Sequence, residues 1–93
     1  MEDAQDPQAQ PARSYPQRIP LKVIGRGAEM DPACIAELIQ AHLGPHPPED
    51  LVPGSRQKGA FTSLTFWVTR PGPDAELPLR EAIQGLPGVV MQL

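Results

Sequence analysis

Residues 61–70 read FTSLTFWVTR, a stretch in which large apolar side chains recur at every second position. In an extended chain, Leu64, Phe66 and Val68 fall on one side. The other side then carries Phe61, Ser63, Thr65, Trp67 and Thr69. Aromatic and β-branched residues are typical of strands, and a Pro-Gly-Pro sequence follows directly. The stretch therefore predicts a β-strand with one buried face.

Three shorter segments predict further strands. Residues 50–56 form one candidate, and Pro53 within it favours an edge position because proline cannot donate a hydrogen bond to a neighbouring strand. The sequence Gln57-Lys58-Gly59 is expected to turn this strand into residues 61–70. Upstream, apolar residues alternate between positions 19 and 24, and Gly25 ends the run. Residues 88–93 form the last candidate, with Val89, Met91 and Leu93 alternating.

Two segments have helical periodicity. The first is expected to begin with Asp31 as N-cap and Pro32 at the first helical position, and to end at Gly44-Pro45. Its apolar stripe consists of Ile35, Leu38, Ile39, His42 and Leu43. The second helix is predicted over residues 74–85, with Pro78 tolerated only in the first turn. Its stripe consists of Leu79, Ala82, Ile83 and Leu86.

The order strand–helix–strand–strand–helix–strand has a well-known compact solution. Two interleaved right-handed β–α–β units form a four-stranded antiparallel sheet with both helices on one face. The predicted fold class is therefore α+β, with the ferredoxin-like arrangement. The other face of the sheet is left open.

Composition limits the organisation of the chain. Residues 1–14 have almost no large apolar side chains and predict a disordered tail, which leaves residues 15–93 for one domain. The net charge of −3 does not favour nucleic acid as a partner. One cysteine and no long apolar run lead us to expect a soluble cytoplasmic protein with no membrane segment.

Four short motifs resemble those of the YbeD-like family of small bacterial proteins. Residues 15–25, YPQRIPLKVIG, are similar to the opening signature of that family. Gln40-Ala41-His42, the segment from Ser55 to Ser63, and residues 89–93, VVMQL, resemble its later motifs. The resemblance implies a ferredoxin-like fold akin to ACT regulatory domains, which bind small molecules such as amino acids and often pair. It implies no established activity.

The loop after the first strand, residues 25–27, has three interpretations. Acylphosphatases cradle phosphate with a similar turn, but they need an asparagine and this chain contains none. The glycines also suit a tight strand-to-helix turn. By the ACT resemblance, Gly25, Arg26 and Gly27 are instead ligand-binding candidates. Ser55, Arg56 and Lys58 gather donors around the predicted hairpin turn and could hold a small anion, which adds Ser55 and Lys58 to the ligand-binding candidates. A solvated hairpin tip is the favoured alternative interpretation of these residues.

The open face of the predicted sheet supplies a second kind of site. Phe61 and Trp67 project from it by strand parity, with Ile24 and Val90 as neighbours, and an exposed apolar patch is typical of an interface. Ile24, Phe61 and Trp67 are therefore the interface candidates. RNA-recognition motifs stack bases on this face, but here the first strand has no aromatic residue.

The remaining histidine, cysteine and serine residues do not indicate a metal site or a catalytic site. His42 and His46 are separated by Gly44-Pro45, so they do not share a helical face as a metal pair, and His42 is expected to pack in the core. Cys34 is expected to be an inert core thiol, although it lies near a helix N-terminus. The serines have no recognisable base, so we expect no catalytic residue, metal or cofactor.

Two functions follow as hypotheses. The first is a small cytoplasmic, non-enzymatic regulatory module that senses a small molecule such as an amino acid, in the manner of ACT domains, with weak homodimerisation. The alternative is a protein-interaction adaptor that docks through the open sheet face. RNA binding is a less favoured third hypothesis.

Overall fold

The computed structural model describes residues 16–93 of the 93-residue chain. The predicted tail and Tyr15 lie outside the described residues. Four strands, two α-helices and one turn of 3-10 helix at Pro48–Asp50 make up this part of the chain. Their bounds are β1 Gln17–Gly25, α1 Pro32–Leu43, β2 Gly54–Lys58, β3 Phe61–Arg70, α2 Glu76–Gln84 and β4 Val89–Gln92.

The strands form one antiparallel sheet in the order β2-β3-β1-β4. The long strands β1 and β3 pair over their whole length at the centre, and β2 and β4 form the edges. This order, with both helices against one face, confirms the predicted ferredoxin-like α+β fold. The edge position predicted for the second strand is also confirmed.

The core is aliphatic and lies between the helices and one face of the sheet. Phe66 is its only buried aromatic residue among those described, and it packs with leucine, isoleucine and valine side chains. The fully buried members are Leu21, Val23, Ile35, Ile39, Phe66, Val68, Leu79 and Ile83. Burial of each such side chain contributes roughly 1.5–3 kcal/mol. Two strands and two helices thus meet at one small core.

The N-terminus of α1 lies where it was predicted, but one residue in the C-terminal half of the helix is placed differently from the prediction. Asp31 is the N-cap, and its Oδ1 accepts a hydrogen bond from the Ala33 backbone N–H at 3.0 Å. His42 was predicted to pack in the core, and this is wrong because its side chain is exposed. The buried stripe instead advances from Ile39 to Leu43, which contacts the core.

The β2–β3 hairpin differs from the prediction in its bounds. Strand β2 begins at Gly54, because residues 48–50 form a turn of 3-10 helix ahead of it. Lys58 belongs to the strand and pairs with Phe61, so the turn consists of Gly59 and Ala60 alone. Gly59 has φ 62°, a conformation that glycine adopts without steric cost.

Strand β4 carries a bulge that changes which side chains face the open side. Val89 pairs with Gly25, but Met91 pairs with Ile24, so Val90 is an extra residue in the ladder. The regular alternation expected for Val89, Met91 and Leu93 is therefore wrong. Met91 joins Ile24 on the open face, while the Gln92 side chain turns to α2 and donates to the Arg80 carbonyl at 2.9 Å.

Candidate functional site

The sheet face opposite the helices, called the open face below, is the face of the sheet that the helices leave uncovered. Cross-strand pairing arranges its side chains in rows. One row contains Arg56, Ser63, Ile24 and Met91, and the next contains Thr65, Lys22 and Leu93. Lys58 pairs with Phe61 in the row beyond, and Arg26 follows directly after β1. Neighbouring side chains within a row lie about 5 Å apart.

Charge is strongly segregated on this surface. None of the four strands contains an Asp or Glu residue. Five of the eight Lys and Arg residues of the chain lie on or beside the open face: Arg18, Lys22, Arg26, Arg56 and Lys58. No carboxylate of the described residues forms an ion pair with the last four of these. The open face is therefore basic, although the chain carries a net charge of −3.

A groove of about 600 Å³ lies at the Phe61 end of the open face. Its main lining side chains are Lys22, Ile24, Arg56, Lys58, Phe61 and Leu93. Phe61 is 42% exposed, and the Arg26 guanidinium lies 5.8 Å from the centre of its ring. The groove thus combines apolar walls with a rim of cations.

The Trp67 end of the same face is organised differently. The Arg18 guanidinium lies over the Trp67 ring, 4.5 Å from its centre. Arg18 in turn donates two hydrogen bonds to the Asp50 carboxylate, at 2.8 and 3.3 Å. The hydrogen bond from Arg18 keeps the pKa of Asp50 below its ordinary value. At this end, the Arg18 charge is therefore paired with Asp50, and one face of the Trp67 ring is covered by Arg18.

The predicted loop of residues 25–27 has a structural explanation for both glycines. A Cβ on Gly25 would overlap the Gly88 carbonyl oxygen, which accepts a hydrogen bond from the Arg26 N–H at 2.9 Å. A Cβ on Gly27 would overlap Thr62 Oγ1. The loop is packed against β3 and the start of β4, which favours its interpretation as a strand-to-helix turn.

The five predicted ligand-binding residues do not form one cluster. Gly27 and Ser55 share a cleft of about 510 Å³ between the loop and the β2–β3 hairpin. The other lining residues of this cleft are Ala28, Met30, Pro32, Gln57, Ala60, Thr62 and Leu64, so no side chain there is charged. Lys58 lies in the groove, Arg26 lies against Phe61, and Gly25 is buried.

The predicted interface residues lie on the open face but at opposite ends of it. Ile24 and Phe61 line the groove, whereas Trp67 lies under Arg18. Sequence reasoning missed Lys22 and Leu93 as groove residues, and it grouped Arg56 with Ser55 and Lys58 at the hairpin turn and not with the open face. Strand parity gives a signal for Lys22, while Arg56 belongs to a strand whose start the sequence does not mark.

Histidine and cysteine residues have local structural partners. The His46 ring accepts a hydrogen bond from the Thr69 backbone N–H at Nε2 (2.9 Å), so its proton lies on Nδ1, 2.8 Å from the Gly44 carbonyl oxygen. Cys34 is half-buried and not in the core as predicted, and its thiol donates to Asp31 Oδ2 at 3.4 Å. This hydrogen bond and the charge of Asp31 raise the pKa of the Cys34 thiol.

Within residues 16–93, no group of three or more His, Cys, Asp and Glu side chains is arranged to hold a metal ion. Neither α-helix of this range is long and apolar enough to span a membrane.

Fold and surface together define a small ferredoxin-like domain whose sheet exposes a basic, partly apolar face. The model of one protein family, described as "Protein of unknown function (DUF493)", matches residues 10–93. The chain belongs to this family, which is the YbeD-like family that its motifs resemble. Neither the curated proteins nor the solved structures gave a match to the chain.

Proposed function

We propose that this protein is a small, non-enzymatic binding module of the cytoplasm that docks on a protein partner through the open face of its sheet. The observation that carries the proposal is the groove at the Phe61 end. Three cations line it beside exposed apolar side chains, a fourth, Arg26, lies near the Phe61 ring, and none of the four has an ion-pair partner among the described residues. Interfaces that join an apolar centre to a charged rim are typical of protein–protein recognition.

Small-molecule sensing in the manner of ACT domains is the second candidate. The cleft that joins Gly27 and Ser55 favours it, because two predicted ligand residues from different elements meet there. The cleft, however, offers no charged side chain to an ammonium or carboxylate group. Titration of the ¹⁵N-labelled protein with amino acids tests this candidate: shifts of the Gly27 and Ser55 amides support it, and an unchanged spectrum removes it.

Site-specific cross-linking tests the docking proposal. A photoreactive benzoylphenylalanine is placed at Phe61 in the groove, or at Glu37, an exposed position of α1, as the control. The expected result is a discrete protein adduct from position 61 that is absent from position 37. Adducts of the same proteins from both positions, or none from position 61, would reject docking through the open face.

A further inference from the structure

We infer that the segment of the partner bound by the groove is an acidic stretch of protein that carries a large apolar side chain. This inference rests on the proposed function and adds the chemistry of the partner. The apolar side chain would lie against Phe61, Ile24 and Leu93, and carboxylates on either side would meet Lys22, Arg56 and Lys58.

The spacing of the rows supports an extended ligand. Lys58, Arg56 and Lys22 belong to three successive rows of the open face. Alternate residues of a strand lie about 6.8 Å apart, so the three cations span roughly 14 Å along the sheet. Alternate side chains of an extended peptide repeat at the same distance. Lys58 and Arg56, on the same strand, match this repeat. Lys22 lies in the next row but on β1, two strands and roughly 10 Å to the side, so a peptide that meets all three cations would cross the strands obliquely.

Charge complementarity selects an acidic partner. No carboxylate of the described residues pairs with Lys22, Arg56 or Lys58, so an incoming carboxylate breaks no ion pair within residues 16–93. Complementary charge at a rim increases association rates and excludes partners of the same sign. All eight acidic residues within residues 16–93 lie in helices and loops, outside the strands. The open face is thus the part of this domain that attracts anions.

The shape of the face favours a peptide over single-stranded nucleic acid. Base stacking needs free aromatic rings. Arg18 covers the Trp67 ring, and Asp50 holds Arg18 in that position. In the groove, aliphatic Ile24 and Leu93 flank Phe61. These side chains suit an apolar amino-acid side chain and offer no second stacking platform.

A second copy of the chain is a poor occupant of the groove. Two open faces brought together would oppose their own cations, and like charges in contact are destabilising. The acidic residues of the chain's own N-terminal segment, Glu2, Asp3 and Asp6, are the remaining alternative, and the experiment includes them.

The test is a titration of the ¹⁵N-labelled full chain with a short synthetic peptide in which aspartates and glutamates flank one phenylalanine. We expect shifts of the Lys22, Lys58 and Phe61 amides and an affinity that falls as salt rises. Lys58→Gln should weaken binding about three- to tenfold. Ala41→Glu, which makes the same change in net charge on the exposed side of α1, should leave binding unchanged.

Four results would overturn the inference. The first is equal binding of a peptide that has lysines in place of the acids, and the second is a set of amide shifts that lie outside the groove. The third is binding of single-stranded RNA and not of the peptide. The fourth is peptide binding that is seen only in the E2Q/D3N/D6N variant. The last result would assign the groove to the chain's own acidic segment. If cross-linking at position 61 succeeds while the peptide fails, open-face docking stands and the acidic chemistry is rejected.

Discussion

At the scale of single residues, His46 acts as a bridge between the end of α1 and strand β3. Its ring joins the Gly44 carbonyl to the Thr69 N–H. Thr69 is half-buried, so leaving its N–H without this partner costs less than in a full core, and His46→Ala should lower the free energy of unfolding by about 1 kcal/mol. Urea denaturation measures it. The exposed His42→Ala is the matched control and should change stability by less than about 0.5 kcal/mol. Equal losses from both variants would contradict this role.

Cys34 is a second residue whose behaviour depends on one neighbour. Asp31 raises the pKa of the thiol by hydrogen bonding and by charge, so little thiolate is present at neutral pH. Asp31→Asn removes the charge while asparagine still caps α1. We expect iodoacetamide to alkylate Cys34 several-fold faster in this variant, with unchanged helical circular dichroism. Asp74→Asn, in the loop before α2, is the control, and an identical rate in all three proteins would argue against the effect.

At the scale of elements, the close approach of Gly25 to Gly88 holds the end of β1 against the start of β4. Gly25→Ala would force a side chain into the Gly88 carbonyl, and overpacking of this kind costs about 1–3 kcal/mol or more. The unfolding midpoint in urea should fall accordingly. Gly72→Ala is the control, because no atom lies within 4 Å of the position its Cβ would take. A Gly25→Ala protein as stable as the control would leave the loop without its structural explanation.

The elements also show why the sequence predicts the bounds and faces of some strands better than those of others. The faces of β3 follow from its alternation, because apolar side chains mark its three buried positions, Leu64, Phe66 and Val68. Strand β2, GSRQK, contains no apolar residue, so only its pairing with β3 decides that Arg56 and Lys58 share the open face. The bulge in β4 lies beside the close approach of Gly25 to Gly88, two residues 63 positions apart, and no local pattern in the sequence indicates it.

At the scale of the whole molecule, the fold separates charges that the sequence mixes. Groups of cations and groups of acids follow one another along the chain, and the antiparallel sheet collects the cations of β1 and β2 on one face. The acids of the described residues remain in the helices and loops. The net charge is therefore a poor guide to the partners of such a small domain, because a partner contacts one face and responds to the charge of that face.

Two ion-pair networks, one at the Trp67 end of the sheet and one at the start of α2, make the stability of the whole domain sensitive to acid. Arg18 bonds to Asp50 across the Trp67 end of the sheet, and Arg70 and Arg80 both bond to Glu76 at the start of α2. Burial acts to raise the pKa of Glu76, but hydrogen bonds from Arg80 and Arg70 outweigh it, so its pKa is lowered. The pKa of Asp50 is lowered as well, chiefly by its hydrogen bond to Arg18.

Because both carboxyls have a lower pKa in the folded chain than in the unfolded one, their stabilisation is complete above the ordinary values, 3.8 for Asp50 and 4.5 for Glu76. It is lost as the pH falls through the lowered values. We expect the melting temperature to be nearly constant from about pH 7 to pH 5 and to fall steeply below about pH 4. The double variant D50N/E76Q should have a lower melting temperature at neutral pH, and its melting temperature should fall less steeply with acid. If the melting temperature of the variant falls as steeply below pH 4 as that of the natural sequence, other carboxyls cause the acid sensitivity.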